Sequence, residues 1–191
     1  MSEATAPDKV SASGKGKKEA WEWMKALAIA IALAFFIRTF LFAPFIVEGE
    51  SMESTLHNAE RLVVNKAIYF VSTPHRGDII VFHAEADKDY IKRVIAVAGE
   101  TVEVRDDTLY INGKEVDEPY LAQKREEAKA EGKELTEDFP PVAIPDGEIF
   151  VMGDNRQNSR DSRMIGPVKL DTVVGRAEFV FWPFKEARLT R

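Results

Sequence analysis

The sequence predicts a mainly β, antiparallel fold with one apolar helix in front of it. Three observations lead there. Between Trp21 and Pro44 the chain is almost wholly apolar, and Ala26–Ile37 holds no polar residue. Beyond Pro44, short runs rich in Val, Ile and Phe recur between Gly, Asp, Asn and Pro, the pattern of short strands joined by tight turns. In one of them Asn112-Gly113 stands between alternating apolar residues and specifies a two-residue hairpin turn.

Residues 1–20, with "SASGKGKKEA", carry too little apolar surface to fold and are expected to form a disordered tail. An α-helix needs about 20 residues to cross ~30 Å of hydrocarbon. Residues 21–44 are therefore read as a transmembrane helix, with Trp, Phe and Lys flanking it as interfacial anchors do. Arg38 lies about 9 Å before Pro44 along such a helix, within snorkelling reach of the outer headgroups. Lys9, Lys15, Lys17, Lys18 and Lys25 precede the apolar run, so the N-terminus is expected in the cytoplasm and residues 45–191 outside the cell membrane. A cleavable leader wants small residues at −3 and −1. The best candidate site, after Ala43, has Leu41 at −3 and is followed by Pro44, so the segment reads as an uncleaved, single-pass anchor.

In the outer part, "RLVVNKA", "DIIVFHA", "YIKRVIAVAG", "TVEVRDD", "EIFVMGD" and "AEFVFWPF" read as strands, and "LYINGKEV" as the hairpin. The alternating half of the last run, Phe179–Phe184, reads as core, whereas its remaining aromatics fit either the core or the bilayer. Residues 119–141 break the pattern. They are charged and helix-forming up to Gly132, an excursion expected to be part helix and part loop.

Composition narrows the function. The chain has 191 residues, 45% hydrophobic and 30% charged, enough for one folded domain and an appendage. A net charge of −6 argues against a nucleic-acid partner. With no cysteine, disulfides, thiolate-bound zinc and cysteine nucleophiles are excluded, a sortase-like activity among them. No pattern asks for a cofactor, and the polar loop Gly153–Gly166 has no histidine nearby that would favour a metal.

Directly after the apolar run comes "EGESMESTL", in which Ser51 is either a loop hydroxyl or a nucleophile. A serine needs a base to take its proton. The three histidines, His57, His75 and His83, stand in no distinctive motif. A lysine base must be neutral, so it has to be buried in apolar surroundings that disfavour its charge. Lys92, in "DYIKRVIAVAGE", fits that requirement, although it could equally mark an edge strand or a solvated strand end. Strand alternation would put Tyr90, Lys92, Val94 and Ala96 on one face, and Ile91, Arg93, Ile95 and Val97 on the other. "GDNRQNSRDSR", rich in turn formers, also brings arginines and aspartates close enough for an ion-pair network.

Together these stretches resemble bacterial type I signal peptidases, the membrane-bound leader peptidases with a Ser/Lys dyad. "VEGESMESTL" is similar to the family's nucleophile box, "RGDIIVF" to its next strand motif, "YIKRVIAVAGETV" to its lysine box and "GDNRQNSRDSR" to its C-terminal signature. Their order behind an N-terminal span matches too, and the "VEGES" form resembles the compact Gram-positive enzymes. The resemblance implies an antiparallel β-sheet catalytic domain in which Ser51 is the nucleophile and Lys92 the general base. It implies that Ser159 orients the lysine, that Asp161 pairs with Arg163, and that Asp154 and Arg156 brace the same loop, with Arg93 beside the lysine. The oxyanion hole would use the Ser51 backbone N–H, because Gly49 stands where some members have a serine. Ser54 stands where the family usually has proline. The implied partners are preproteins with Ala-x-Ala-type cleavage sites, the lipid bilayer and the secretion translocon. The competing reading is a membrane-anchored, non-catalytic binding domain or an inactive paralogue. What separates the two is whether Ser51 and Lys92 meet.

Overall fold

The computed structural model describes residues 13–85 and 88–190. It divides into two units, Met1–Phe40 and Leu41–Arg191.

The first unit is helical. Helix α1 runs from Ser13 to Phe36 and continues as a π-helical turn over Ile37–Leu41. It therefore starts inside the segment expected to be a tail; residues 1–12 lie outside the described residues. Over Lys18–Leu41 the helix is long and apolar enough to cross a membrane, and its large apolar side chains are exposed. It stops short of Pro44.

The second unit holds two antiparallel sheets. The larger contains β1 (Phe42–Ile46), β2 (Arg61–Asn65), β3 (Ile79–Glu85), β4 (Lys88–Val97), β9 (Glu148–Met152), β10 (Val168–Lys169), β11 (Val173–Trp182) and β12 (Arg188–Leu189). Its order is β1-β2-β11-β3-β4-β9-β10, with β12 paired on β11. The smaller, ordered β7-β6-β5-β8, contains β5 (Thr101–Arg105), β6 (Thr108–Ile111), β7 (Lys114–Glu115) and β8 (Phe139–Ala143). Asn112 and Gly113 both have positive φ, as the hairpin sequence requires. So do Asp106 and Asp107, which make a second two-residue hairpin between β5 and β6. The excursion at 119–141 forms a 3-10 turn and helix α2 (Ala122–Ala130), then enters β8 at Phe139, two residues before its expected end.

Three apolar clusters fix the site. One packs Val47, Met52 and Leu56 against Leu62, Val64, Val81 and Val180, so the loop after β1 is anchored by its own side chains. Full burial of residues such as Met52 and Leu56 contributes roughly 1.5–3 kcal/mol each. A second cluster packs Ile95, Ala96, Phe150 and Met152 against β5 and β6. A third holds Val94 with Ile80, Phe82 and Val151, and Val97 packs on it. The expected alternation along β4 therefore fails after Val94. A register shift against β9 between Val94 and Ala96 puts Val97 on the side of Val94 and leaves Ile95 and Ala96 together. Similar shifts in β11 bury Ala177 and Val180 and leave Phe179 exposed rather than core; Trp182 and Phe184 are exposed as well.

Candidate active site

Ser51 opens the turn that follows the apolar stretch through Val47. Thr55 and Leu56 donate their N–H groups to Met52 O at 2.8 and 2.9 Å, closing a helical turn directly behind the serine. Because Met52 and Leu56 point into the core, Ser51 is left at the surface of the loop, half-buried.

Lys92 sits in β4, at the point where that strand loses a neighbour. The β4–β9 ladder runs from Arg93 to Val97, and Lys88–Lys92, before it, line a cleft. The lysine side chain turns inward and is 4% exposed. Its Nζ donates to Ser51 Oγ at 2.8 Å and to Ile91 O at 2.9 Å. Burial pulls its pKa down to about 8, against the opposing pull of the Asp161 and Asp154 carboxylates. At that value a large share of the amine is neutral at mildly alkaline pH, and a neutral Nζ can accept a proton from Oγ across the same contact. Among the described residues, the histidines pair with Glu53, Asp78 and Asp89, and none reaches Ser51.

Behind this pair lies a buried set of arginine–carboxylate forks. Arg93 grips Asp154 through Nε and Nη2 at 2.9 and 2.7 Å, and its guanidinium lies 3.9 Å over the Tyr120 ring. Asp154 also accepts from Thr55 Oγ1 at 2.5 Å, which ties the Ser51 loop to the Lys92 strand. Arg163 holds Asp161 at 2.9 and 2.8 Å and donates to Arg156 O. Burial alone would raise the Asp161 pKa, but the Arg163 fork and the Gly153 N–H keep it below the usual range. Asp161 thus stays an anion and also caps the short helix α3 (Ser162–Ile165).

One expected contact differs. The Ser159 hydroxyl is buried beside Asp161, whose pKa it helps to lower, but it makes no hydrogen bond of ordinary geometry and is not a partner of Lys92. Lys92 is oriented instead by the Ile91 carbonyl. Arg156 is held by an acid from outside the loop. Its guanidinium lies on Glu118, at 2.5 and 3.2 Å, and donates to Gly153 O, so it does brace the loop's backbone. Glu118 was not legible in the sequence. The one signal was charge count: Gly153–Arg163 carries more arginines than aspartates, which calls for an acid from elsewhere.

Asn155 is the other residue that the sequence reading passed over. Its N–H donates to Ser51 O at 3.0 Å and its Nδ2 to Glu50 O at 3.0 Å. Gly153 lies underneath. A Cβ there would stand 2.3 Å from Ser51 O and 2.2 Å from Ser159 Oγ, so only glycine lets the two loops approach this closely. Ser51 and Lys92 open on a cleft of about 680 Å³, between Phe45–Met52 on one side and Lys88–Lys92 on the other.

The family model for signal peptidase, peptidase S26, matches residues 20–182. The chain belongs to this family. It is 53% identical over 160 residues to signal peptidase I T of Bacillus subtilis strain 168, covering 83% of each chain. It is 52% identical over 159 residues to a signal peptidase I of Bacillus licheniformis, covering 82% of this chain and 86% of that one. In structure it is similar to a crystal structure of a signal peptidase I from Enterococcus faecalis V583, with a TM-score of 0.52 and 40% identity over 56% of this chain and 97% of the other. The antiparallel β architecture is thus that of a signal peptidase I. The Ser51 loop, the Lys92 strand and the Gly153–Arg163 loop all fall inside the family match.

Proposed function

We propose that this chain is a membrane-anchored serine endopeptidase that cleaves signal peptides from secreted preproteins with Ser51 and Lys92. The observation that carries the reading is the 2.8 Å contact between Ser51 Oγ and a lysine Nζ that burial has made less basic. Neutral Lys92 takes the Oγ proton as Oγ attacks the scissile carbonyl. The Ser51 N–H donates to the developing oxyanion. The amine of the mature protein leaves with the proton from Lys92, and the acyl-enzyme remains on Ser51. Lys92 then deprotonates a water that releases the signal peptide.

The cleft suggests how substrate is held. An extended peptide would lie in the cleft along Lys88–Lys92, giving main-chain affinity, with small side chains of an Ala-x-Ala site seated near Ser51. The apolar helix would hold the domain at the membrane with the N-terminus in the cytoplasm, at the depth where signal peptides emerge from the translocon. The test is cleavage of a preprotein by the wild type, Ser51→Ala and Lys92→Ala. Both variants should lose at least about 10³-fold in kcat while folding normally. Cleavage retained in either one rejects the dyad. In the wild type, kcat/KM should fall about tenfold per pH unit below about 8, because protonated Lys92 is inactive.

A further inference from the structure

The family match ends at residue 182, yet the chain beyond it returns to the nucleophile's loop. β12 pairs with β11, and Thr190 fastens the tail by donating through Oγ1 to Ala177 O at 2.7 Å. This places Arg188 against the neck of the loop. Its Nη1 donates to Glu60 Oε1 at 2.7 Å, and its Nη2 to Glu60 Oε2 at 2.9 Å and Thr55 O at 2.7 Å. The Glu60 side chain is 2% exposed. Its other hydrogen bond comes from His57 N–H at 3.0 Å, and its main chain closes the loop, with Val47 N donating to Glu60 O at 2.8 Å.

The loop from Val47 to Glu60 is therefore held from two sides. Asp154, fixed by Arg93, holds the Thr55 hydroxyl; Arg188 holds the Thr55 carbonyl and Glu60. The planar guanidinium fork satisfies both oxygens of the carboxylate and the carbonyl at once. Burial would raise the Glu60 pKa, but Arg188 and the His57 N–H keep it lowered, so the clasp stays charged at the pH where a lysine base works.

We propose that Arg188 is a positioning residue for the reaction: with Glu60 it clasps the Ser51 loop, so that the C-terminal tail sets how well Ser51 meets Lys92. This rests on the Ser51–Lys92 reading. Releasing the clasp lets Ser51 drift from Nζ, and a displacement of about 1 Å is enough to cost up to about 10²-fold in rate. It also admits water to Lys92, whose charge otherwise faces Ser51, the Ile91 carbonyl, the Tyr90 ring, Asp161 and Asp154.

The test uses the full chain in lipid vesicles with a preprotein substrate. Arg188→Ala should lower kcat by about ten- to a hundredfold with KM within about twofold, since Arg188 does not line the cleft. It should also move the acid limb of the kcat profile above the wild-type position. Arg188→Lys, which can reach fewer acceptors, should fall between. The proposal is overturned if kcat per folded molecule, scaled by thermal melts, equals that of the wild type, or if the acid limb does not move. Where Arg188→Ala does not fold, Arg188→Lys is judged by the same two criteria. Retained cleavage in Ser51→Ala would instead reject the dyad itself.

Discussion

Lys92 and Arg93 are neighbours on one strand, both buried, yet the fold treats their charges in opposite ways. Arg93 is given a carboxylate fork on Asp154, a backbone carbonyl from Gly77 and the face of Tyr120. Lys92 is given a hydroxyl and a carbonyl, and its nearest carboxylates are already engaged by Arg93 and Arg163. Arg93 therefore remains a satisfied cation. Lys92 is a cation the site disfavours, as the proposed role of general base requires. The difference arises from where β9 ends: Arg93 faces the loop that follows β9, whereas Lys92 faces the cleft.

The largest expected effect separates the two positions by sign. Lys92→Met should abolish cleavage, by at least about 10³-fold, and yet stabilise the fold. The folded pKa of Lys92 lies at about 8, below its ordinary value, so its burial cost is complete below pH 8 and fades as pH rises toward that ordinary value. The gain from Lys92→Met should thus be on the order of 1–3 kcal/mol at pH 7 and disappear above about pH 10.5. Arg93→Met should do the reverse: it leaves Asp154 buried and uncompensated, at a cost of about 3–5 kcal/mol. Denaturant melts at pH 7 and pH 10 measure both. A destabilised Lys92→Met would break the contrast.

Much of this arrangement was legible from the sequence, and the limits are physical. The apolar setting of "YIKRVIAVAG" marked Lys92 as a candidate base, and an Asn-Gly turn located a hairpin. Strand alternation misjudged the second half of β4 because a register shift inserts one residue, which no period-two pattern anticipates. β1 was hidden because an edge strand and the end of an apolar helix share the same composition, and Pro44, which reads as a stop, is tolerated on an edge. Glu118 and Arg188 were missed for another reason. Their partners lie 38 and 128 residues away in sequence, and a buried ion pair leaves no local pattern.

A smaller effect is expected at the point where the two loops touch. In Gly153→Ala the new Cβ would meet the Ser51 carbonyl and the Ser159 side chain. The overlap with backbone cannot be relieved by a rotamer, so the Ser51 loop must move. Overpacking of this kind costs about 1–3 kcal/mol. The shift of Ser51 should lower kcat by up to about 10²-fold. Kinetics at the pH optimum with a parallel melt would show both, and an unchanged kcat would mean that the loops do not work in contact.

The smallest effect sharpens the contrast between base and oxyanion donor. Glu50 C=O and Ser51 N–H belong to one trans peptide, so they point in opposite directions. Asn155 Nδ2 holds the Glu50 carbonyl, and in doing so aims the Ser51 N–H away from the Gly153–Arg163 loop. Asn155→Ala keeps the backbone bond to Ser51 O but frees this peptide to rock. The loss of one well-aimed donor should lower kcat by about tenfold, or roughly 1.4 kcal/mol in the barrier. Lys92 keeps its burial and its neighbours in this variant, so the acid limb of the rate profile should stay where it is in the wild type. A moved limb in Asn155→Ala would mean that the asparagine acts on the base and not on the donor.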